Sequence, residues 1–565
     1  MLLLGLTVVT SFAEVISLSA VLPFIGIITQ PDQVFAHSSM AGVFKAIGVK
    51  SGPELVLPLS IGFALAALFA GGLRLLLLWV SIRLGNAIGA DLSIEIYRRT
   101  LYQPYDVHIA RSSGEIISGI TQKVGTATSV LISVVTVVTT TVLLIAILST
   151  LLAIDPAAAI LAILGFGSSY VALAWRTRRR LLTNSQCIAQ QQTQVVKSLQ
   201  EGLGAIRDVL LDGTQKVYLS FYRKAVFKLQ LANGENSFIN QAPRYAMEAL
   251  GMALLVLFVL GLSNRPGGVS AALPIIAMLA LGAQRLLPLL QQLYGNWSVI
   301  MGSKTVLADV LTLLDQPLPV YAFEPEIKPL KFIDSIQIQK LYFRYRNEDP
   351  WILDDINLKI RKGEKIGFIG TTGSGKSTAL DLVMGLLEPS AGQIVVDGQP
   401  LTERNMRAWQ KLVAHVPQNI FLSDASVAEN IAFGVPPQDI DFERVRMAAT
   451  QARVADFVES QPLGYSVNVG ERGVRLSGGQ RQRIGIARAL YKQASVLIFD
   501  EATSALDTET ELSVMEAIDN LDSNLTVLII AHRVSTLKGC DFICEIKNSR
   551  INSKLTYDQI KSTPT

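Results

Sequence analysis

From Gly370 to Thr378 the chain reads GTTGSGKST, directly after the apolar run IGFIG. Glycines let a backbone curl so that successive N–H groups face one anion. The spacing of Gly370, four residues, then Gly375, Lys376 and Ser377 is that of a phosphate-binding loop. Gly370, Thr371, Thr372, Gly373, Ser374, Gly375, Lys376, Ser377 and Thr378 therefore form one candidate site. In it Lys376 reaches the β- and γ-phosphates and Ser377 offers a hydroxyl to Mg²⁺. A second apolar run, SVLIFDE, ends on Asp500 and Glu501. Beside a phosphate site, Asp500 is placed to hold Mg²⁺, directly or through water, and Glu501 to polarise an attacking water. Taken alone, two acids after a strand equally well cap a helix, so this reading depends on the loop. Between the two lies LSGGQ, made of Leu476, Ser477, Gly478, Gly479 and Gln480, ahead of the helix-prone RQRIGIARAL. A hydroxyl and two glycines at a helix N-terminus make a second anion site.

In this order and spacing the motifs closely resemble the ATP-binding cassette (ABC) family. The resemblance implies a Q-loop at Gln418 in HVPQN, an exporter X-loop at Glu471 in VGERG, and a D-loop at Ser504, Ala505, Leu506 and Asp507. It also implies a switch histidine at His532 in AHR and an adenine-stacking aromatic at Tyr345 in FRYR. Glu501, His532 and Gln418 would then be catalytic, and Ser377, Gln418 and Asp500 would hold Mg²⁺. In that family two cassettes face each other head to tail. Each ATP lies between the P-loop of one and the LSGGQ of the other. Because this chain keeps Glu501 and LSGGQ together, a homodimer with two competent sites is the economical expectation.

The elements that must carry this α/β cassette occupy only the C-terminal part of the 565 residues, and composition separates them from the rest. A mean hydropathy of +0.38 averages an apolar N-terminal half with an ordinary soluble C-terminal third. The expected domains are 1–302 in the membrane, a linker at 303–333 studded with Pro317, Pro319, Pro325 and Pro329, and a cassette at 334–565. A net charge of +4 with dispersed basic residues excludes nucleic acid as a partner. Three cysteines, two of them on the cytosolic side, imply no disulfide framework, and the four histidines form no zinc cluster with them.

A hydrocarbon core about 30 Å thick needs roughly 20 apolar residues of helix. Six stretches approach it: Leu2–Thr29, Val56–Ile82, Thr126–Ala153, Ala157–Trp175, Met247–Leu262 and Ala271–Leu290. The first is expected to be a retained helix, since no small-residue cleavage pattern closes it. Lys and Arg collect between segments two and three and between four and five, which places those connections and the N-terminus in the cytosol. Both connections are long and helix-permissive, with expected transverse turns near Leu101–Arg111 and Leu211–Phe221. Membrane half and cassette together resemble the type IV exporter arrangement, in which those turns are coupling helices.

Cargo must be read from polar residues in the apolar segments. An arginine near a helix centre costs roughly 2.5–3.5 kcal/mol on insertion scales. Arg74, Arg244 and Arg285 stand out, and three helices could place them in one cytosol-facing layer that a dimer doubles. Guanidinium forks suit phosphate or pyrophosphate. The alternative is that Arg74 pairs with Glu14 or Glu248 and Arg244 snorkels to the interface. Met40, Val43, Phe44 and Ile47 repeat at helical spacing and predict a short helix that packs on its neighbours or touches lipid. The stretches AEVISLSAVLPFIG, GGLRLLLL, APRYAMEALG and GAQRLLPLL resemble the flippases for lipid-linked oligosaccharides in bacterial N-glycosylation. That resemblance implies an undecaprenyl-pyrophosphate-type cargo, membrane lipids as partners and an inner or plasma membrane location. An exporter of another glycolipid, lipid, polysaccharide, drug or peptide is the alternative within transport. A membrane-anchored regulatory ATPase is the alternative from another class.

Overall fold

The computed structural model describes residues 2–19, 54, 56–154, 156, 160, 163–263, 268–323, 328–501, 509, 511, 516, 524–531 and 533–562. The chain divides into two compact units. One comprises Met1–Gln103 and Arg111–Pro317, the other Pro104–Ala110 and Leu318–Thr565.

The first unit is helical. Its elements are α1 (Leu2–Ser19), α2 (Val56–Leu101), and, after α3 (Tyr105–Ala110), which belongs to the second unit, α4 (Ser113–Ser118) and α5 (Val124–Ile154). They continue with α6 (Ser168–Gly204), α7 (Ile206–Leu211), α8 (Gln215–Ser263), α9 (Gly268–Gly302) and α10 (Lys304–Leu314). The described part of every predicted apolar segment is helical. Residues 20–29 of the first segment, and the Met40–Ile47 pattern, lie outside the described residues. Among the described residues, 56–101 and 113–149 are long and apolar enough to cross a membrane, with mean hydropathies of 2.1 and 2.7. The pair 286–302 and 304–314, bent by 57°, adds a broken third.

α6 packs along α8, α5 along α9, and α1 along α2. Gly85 and Gly89, one turn apart on α2, permit the approach to α5, because a Cβ at either would overlap Ile132 or Thr128. α8 carries Pro243 within it, a residue that removes one backbone donor from the ladder. The short helix of the second cytosolic connection is α7, ending where a turn was expected to begin; α8 starts at Gln215 and absorbs most of the predicted transverse segment. The predicted linker is partly helical, since α10 fills residues 304–314.

The second unit is α/β. A four-stranded antiparallel sheet runs β2 (Leu353–Arg361), β1 (Ser335–Phe343), β4 (Ala391–Val396), β5 (Gln399–Pro400). A six-stranded sheet has the order β10 (Arg550–Leu555), β9 (Phe542–Lys547), β3 (Lys365–Ile369), β8 (Thr526–Ile530), β7 (Val496–Asp500), β6 (Val413–Val416). Strands β9, β3, β8, β7 and β6 pair in parallel. Such strands are covered on both faces, which is why VLIF of β7 and VLII of β8 are uninterrupted apolar runs and wholly buried. α11 (Lys376–Val383) and α12 (Glu403–Gln410) cover the β3 side. Trp409 at the end of α12 is fully buried, sets its ring edge-on to Phe332 at 6.0 Å, and donates Nε1–H to Val383 O at 2.8 Å.

Two predictions follow from this core. Trp409→Ala removes a large buried ring and orphans the Val383 carbonyl. A loss of about 3–5 kcal/mol is expected, read as a lowered melting temperature of the full-length protein in detergent. His415 on β6 has a buried, unpartnered Nε2, and burial pushes its pKa down to about 4. The unfolded chain therefore takes this proton near pH 6.5 while the native one refuses it until about pH 4, so stability falls as pH drops through that window. His415→Leu should flatten that part of the stability–pH curve relative to the parent; parallel curves would refute the assignment.

Candidate functional site

The parallel strands end at one edge of the sheet, and the motif residues follow those ends. β3 leads into the loop at Gly370, β7 into Asp500 and Glu501, and β6 into Gln418. Register fixes their level: Phe368 pairs with Ile530, and Ile530 pairs with Asp500. Gly370 has φ +151°, and a Cβ there would run into the Ile546 carbonyl oxygen. Gly375, at φ +97°, caps the N-terminus of α11 in the left-handed region. The Lys376 side chain folds back over the loop, is buried, and donates to Gly370 O and Thr371 O, both at 2.9 Å. Ser374 Oγ is buried without a partner, an orphaned polar atom inside the loop.

Ser377 Oγ donates to Asp500 Oδ1 at 3.3 Å, and Gln418 Nε2 donates to Glu501 Oε2 at 2.5 Å. Glu501 sits at φ +51°, a left-handed conformation held by its N–H bond to Ile530 O at 3.1 Å. Among the described residues no three His, Cys, Asp or Glu side chains could hold a metal by themselves. One carboxylate, one hydroxyl and one amide are a hard oxygen set that suits Mg²⁺ completed by phosphate oxygens and water.

Tyr345 is half-exposed and packs edge-on against Phe343 at 5.1 Å, leaving a ring face available for stacking. The signature segment is built separately. Leu476 is buried as its anchor, and Ser477 caps α16 (Gly478–Tyr491), after α13 (Val427–Ile431), α14 (Phe442–Gln451) and α15 (Ala455–Glu459). Ser477 Oγ accepts from Gln480 N at 3.2 Å while Gln480 Oε1 accepts from Ser477 N at 2.8 Å, a reciprocal capping box. Among the described residues no hydrogen bond or ion pair joins this segment to the loop at Gly370. Glu471 opens an exposed short turn in which Arg472 has φ +52°. Ser504, Ala505, Leu506, Asp507 and His532 lie outside the described residues.

Two neighbours of the site were not legible in the motifs. Asp381 on α11 has its carboxyl pushed up to about 6 by burial and then by the Asp500 charge. Tyr105 on α3 has its hydroxyl pKa raised by burial, then by Asp381 and Tyr345, which places α3 beside the loop helix within the second unit. The signal for α3 was the apolar–aromatic LYQPY turn between two long helices, but no local pattern names its neighbour.

In the helical unit, Arg74 lies 3.6 Å from Glu14, whose side chain is 6% exposed. Arg244 Nε donates to Glu248 Oε1 at 2.9 Å, so both arginines carry a carboxylate partner. Arg285 lies on α9, and its side chain is outside the described residues.

The two acidic contacts give a direct test. Glu501→Gln keeps the Gln418 contact geometry but removes the basic oxygen, so ATP turnover should fall by about 100-fold or more. ATP binding, read by a fluorescent analogue, should persist. Retained turnover would exclude Glu501 as the group that polarises water.

A family model described as ABC transporter matches residues 353–504. The ATP-dependent lipid A-core flippase of Ralstonia nicotianae is 30% identical over 495 residues, 84% of this chain and 80% of that protein. The protein of the same name from Alkalilimnicola ehrlichii is 36% identical over 331 residues, and the match spans about half of each chain (57% and 54%). The structure of a bacterial Atm1-family ABC exporter with ATP bound superposes with a TM-score of 0.79 at 23% identity, covering 99% of this chain and 94% of that one. The chain therefore belongs to the ABC transporters, as an exporter half-transporter with a multi-pass membrane region and a cytoplasmic cassette that couples ATP hydrolysis to transport.

Proposed function

We propose that this half-transporter works as a homodimer that flips an anionic amphipathic lipid, a polyprenyl-pyrophosphate-linked oligosaccharide, out of the cytosolic leaflet. The observation that carries the reading is the presence of Arg74 and Arg244 in or beside apolar helices, each held by a carboxylate. An ion pair whose guanidinium is about half or more exposed adds little stability of its own, whereas a guanidinium that can exchange one anion for another is a recognition element. Phosphate oxygens on a lipid would replace Glu14 and Glu248 as the partners. Arg285 would join them from α9. The flippases named for the relatives support lipid as the cargo class. They favour, as a second reading, a phosphorylated acyl glycolipid in place of the polyprenyl one.

In the cassettes, Mg²⁺-ATP would supply the anionic bridge across the dimer and the phosphoanhydride to be cleaved. Lys376 and the loop amides hold phosphate oxygens, Ser377, Asp500 and Gln418 face the metal position, and Tyr345 offers a stacking face. Glu501 orients and polarises the water. Ser477 and the glycines beside it present helix N–H groups to the nucleotide of the second copy, and the D-loop and His532 complete that interface. Closing this interface on binding and releasing it after hydrolysis would drive the membrane helices.

The test is ATP-dependent flipping of a fluorescent polyprenyl-pyrophosphate oligosaccharide by the reconstituted protein, run beside a phosphorylated acyl glycolipid, with basal ATPase in parallel. The parent should flip the first, and Glu501→Gln neither. Arg74→Ala combined with Arg244→Ala and Arg285→Ala should lower flipping roughly tenfold or more while ATPase persists. Glu14→Gln added to that variant guards against misfolding from an unpaired buried acid. Flipping of the acyl glycolipid alone would overturn the polyprenyl reading.

A further inference from the structure

α6 and α8 run antiparallel, and a groove of about 1000 Å³ opens between them, floored by Tyr294 of α9. It lies wholly within the helical unit and is continuous along both helices. Its wall on α6 includes residues 169, 172, 173, 176, 179, 180 and 183, the repeat of one helical face, and α8 answers with 235, 238, 239, 242, 243, 246 and 247. Hydrogen bonds tie the groove at its middle and at its cytosolic end. Thr177 Oγ1 and Tyr294 Oη lie 3.2 Å apart, and Asn184 Nδ2 donates to Glu235 Oε2 at 3.0 Å and Asn236 Oδ1 at 2.9 Å.

The character of the groove changes along its length. Toward the membrane it is lined by Leu173, Ala246 and Met247; toward the cytosol by Arg176, Arg179 and Arg180. The change falls at Trp175, where the fourth apolar segment ends, and Trp175 is 83% exposed. An exposed indole at that level marks the membrane–water interface. Glu235 is the one acid in the lining, and its carboxylate already accepts from Asn184. Among the described residues no carboxylate lies within ion-pair distance of Arg176, Arg179 or Arg180. Arg178, between them in sequence, is exposed but does not line the groove. The stretch from residue 169 to 183 is about 21 Å long, enough for a phosphate headgroup and the upper part of an acyl chain.

We propose that this groove binds an anionic phospholipid of the cytosolic leaflet, its phosphate on Arg176, Arg179 and Arg180 and its chain along Leu173 and Met247, and keeps it as a resident lipid. The assignment rests on the orientation of the cassette toward the cytosol and is independent of the cargo reading. Three arginines against one lining acid leave the groove with an excess of positive charge, which gives the charge complementarity, and the apolar continuation selects a lipid over a soluble phosphate.

The experiment is native mass spectrometry of the full-length protein titrated with phosphatidylglycerol or phosphatidylcholine of identical chains, with inorganic phosphate as a third arm. The parent should retain phosphatidylglycerol over phosphatidylcholine by roughly ten- to a hundredfold. Arg176→Ala combined with Arg179→Ala and Arg180→Ala should bring that ratio near one, the corresponding lysine triple should keep most of it, and Arg178→Ala should leave it unchanged. Ala172→Trp, which fills the groove and keeps all three arginines, should also abolish the preference, and it tests the site if the alanine triple fails to fold. No preference in the parent, an undiminished preference in the alanine triple or in Ala172→Trp, an equal loss in Arg178→Ala, or competition by inorganic phosphate at the same concentration would overturn the site. ATP-dependent flipping of labelled phosphatidylglycerol would overturn its residence.

Discussion

The lateral pairing of β3, β8, β7 and β6 is the interaction on which the cassette depends. Parallel strands carry their C-termini to one edge, so register alone decides that the loop after Ile369, the acids at Asp500 and Glu501 and the amide of Gln418 arrive at one level. A slip of one residue would turn every side chain to the opposite face of the sheet. Burial on both faces prevents it, because a slipped β8 or β7 would have to repack two layers of apolar side chains at once. The polar chemistry at the edge is thus positioned by a sheet whose central strands are mostly apolar and buried.

Within that frame the site is held by short-range bonds. Lys376 is fixed by the carbonyl oxygens of its own loop, Ser377 by Asp500, and Gln418 by Glu501, so the three segments are cross-tied before any nucleotide phosphate is considered. The left-handed backbone at Glu501 is the cost of turning its carboxylate back toward Gln418. The capping box at Ser477 serves a different end. By tying Ser477 and Gln480 to each other it satisfies the first N–H groups of α16 with its own side chains, while the glycines between leave backbone donors uncovered.

The loop, the two acids and the signature helix were legible in the sequence because each is a local pattern whose function needs only a strand before it or a helix after it. The partners of the arginines were not. Glu14 and Arg74 stand on different helices, and choosing between Glu14 and Glu248 requires knowing that α1 lies along α2. Glu248 instead takes Arg244 at i,i+4, a spacing present in the sequence, where Glu248 is weighed only as a partner for Arg74. The π-helical turns at Gly119–Lys123 and Ile163–Gly167 were equally hidden, since a single inserted residue carries no side-chain signature of its own. The α6–α8 groove follows the same logic: its two stripes are far apart in sequence and only their antiparallel register puts Arg176 beside Pro243 and Asn184 beside Glu235.

The end of the helical unit shows how a costly interaction is justified by placement. Lys123, in the first of those π turns, has a side chain 6% exposed and bonds Asp309 of α10 at 2.6 Å. Burying an ion pair gains little net stability against an apolar substitute, so its value is in specifying where α10 sits. Arg99 does the same from α2, donating to the carbonyl oxygens of Leu314 and Gln316, and Gln103 reaches Pro317 O at 2.9 Å. The Leu314 carbonyl is one that α10 leaves unsatisfied at its C-terminus, where a cation also meets the negative end of the dipole. α5 and α2 therefore grip α10 just after the 57° bend that ends α9. The direction in which the chain leaves the membrane unit is set by polar and charged side chains that hold α10, and a movement of those helices must be passed on to residues 309–317 or break these bonds.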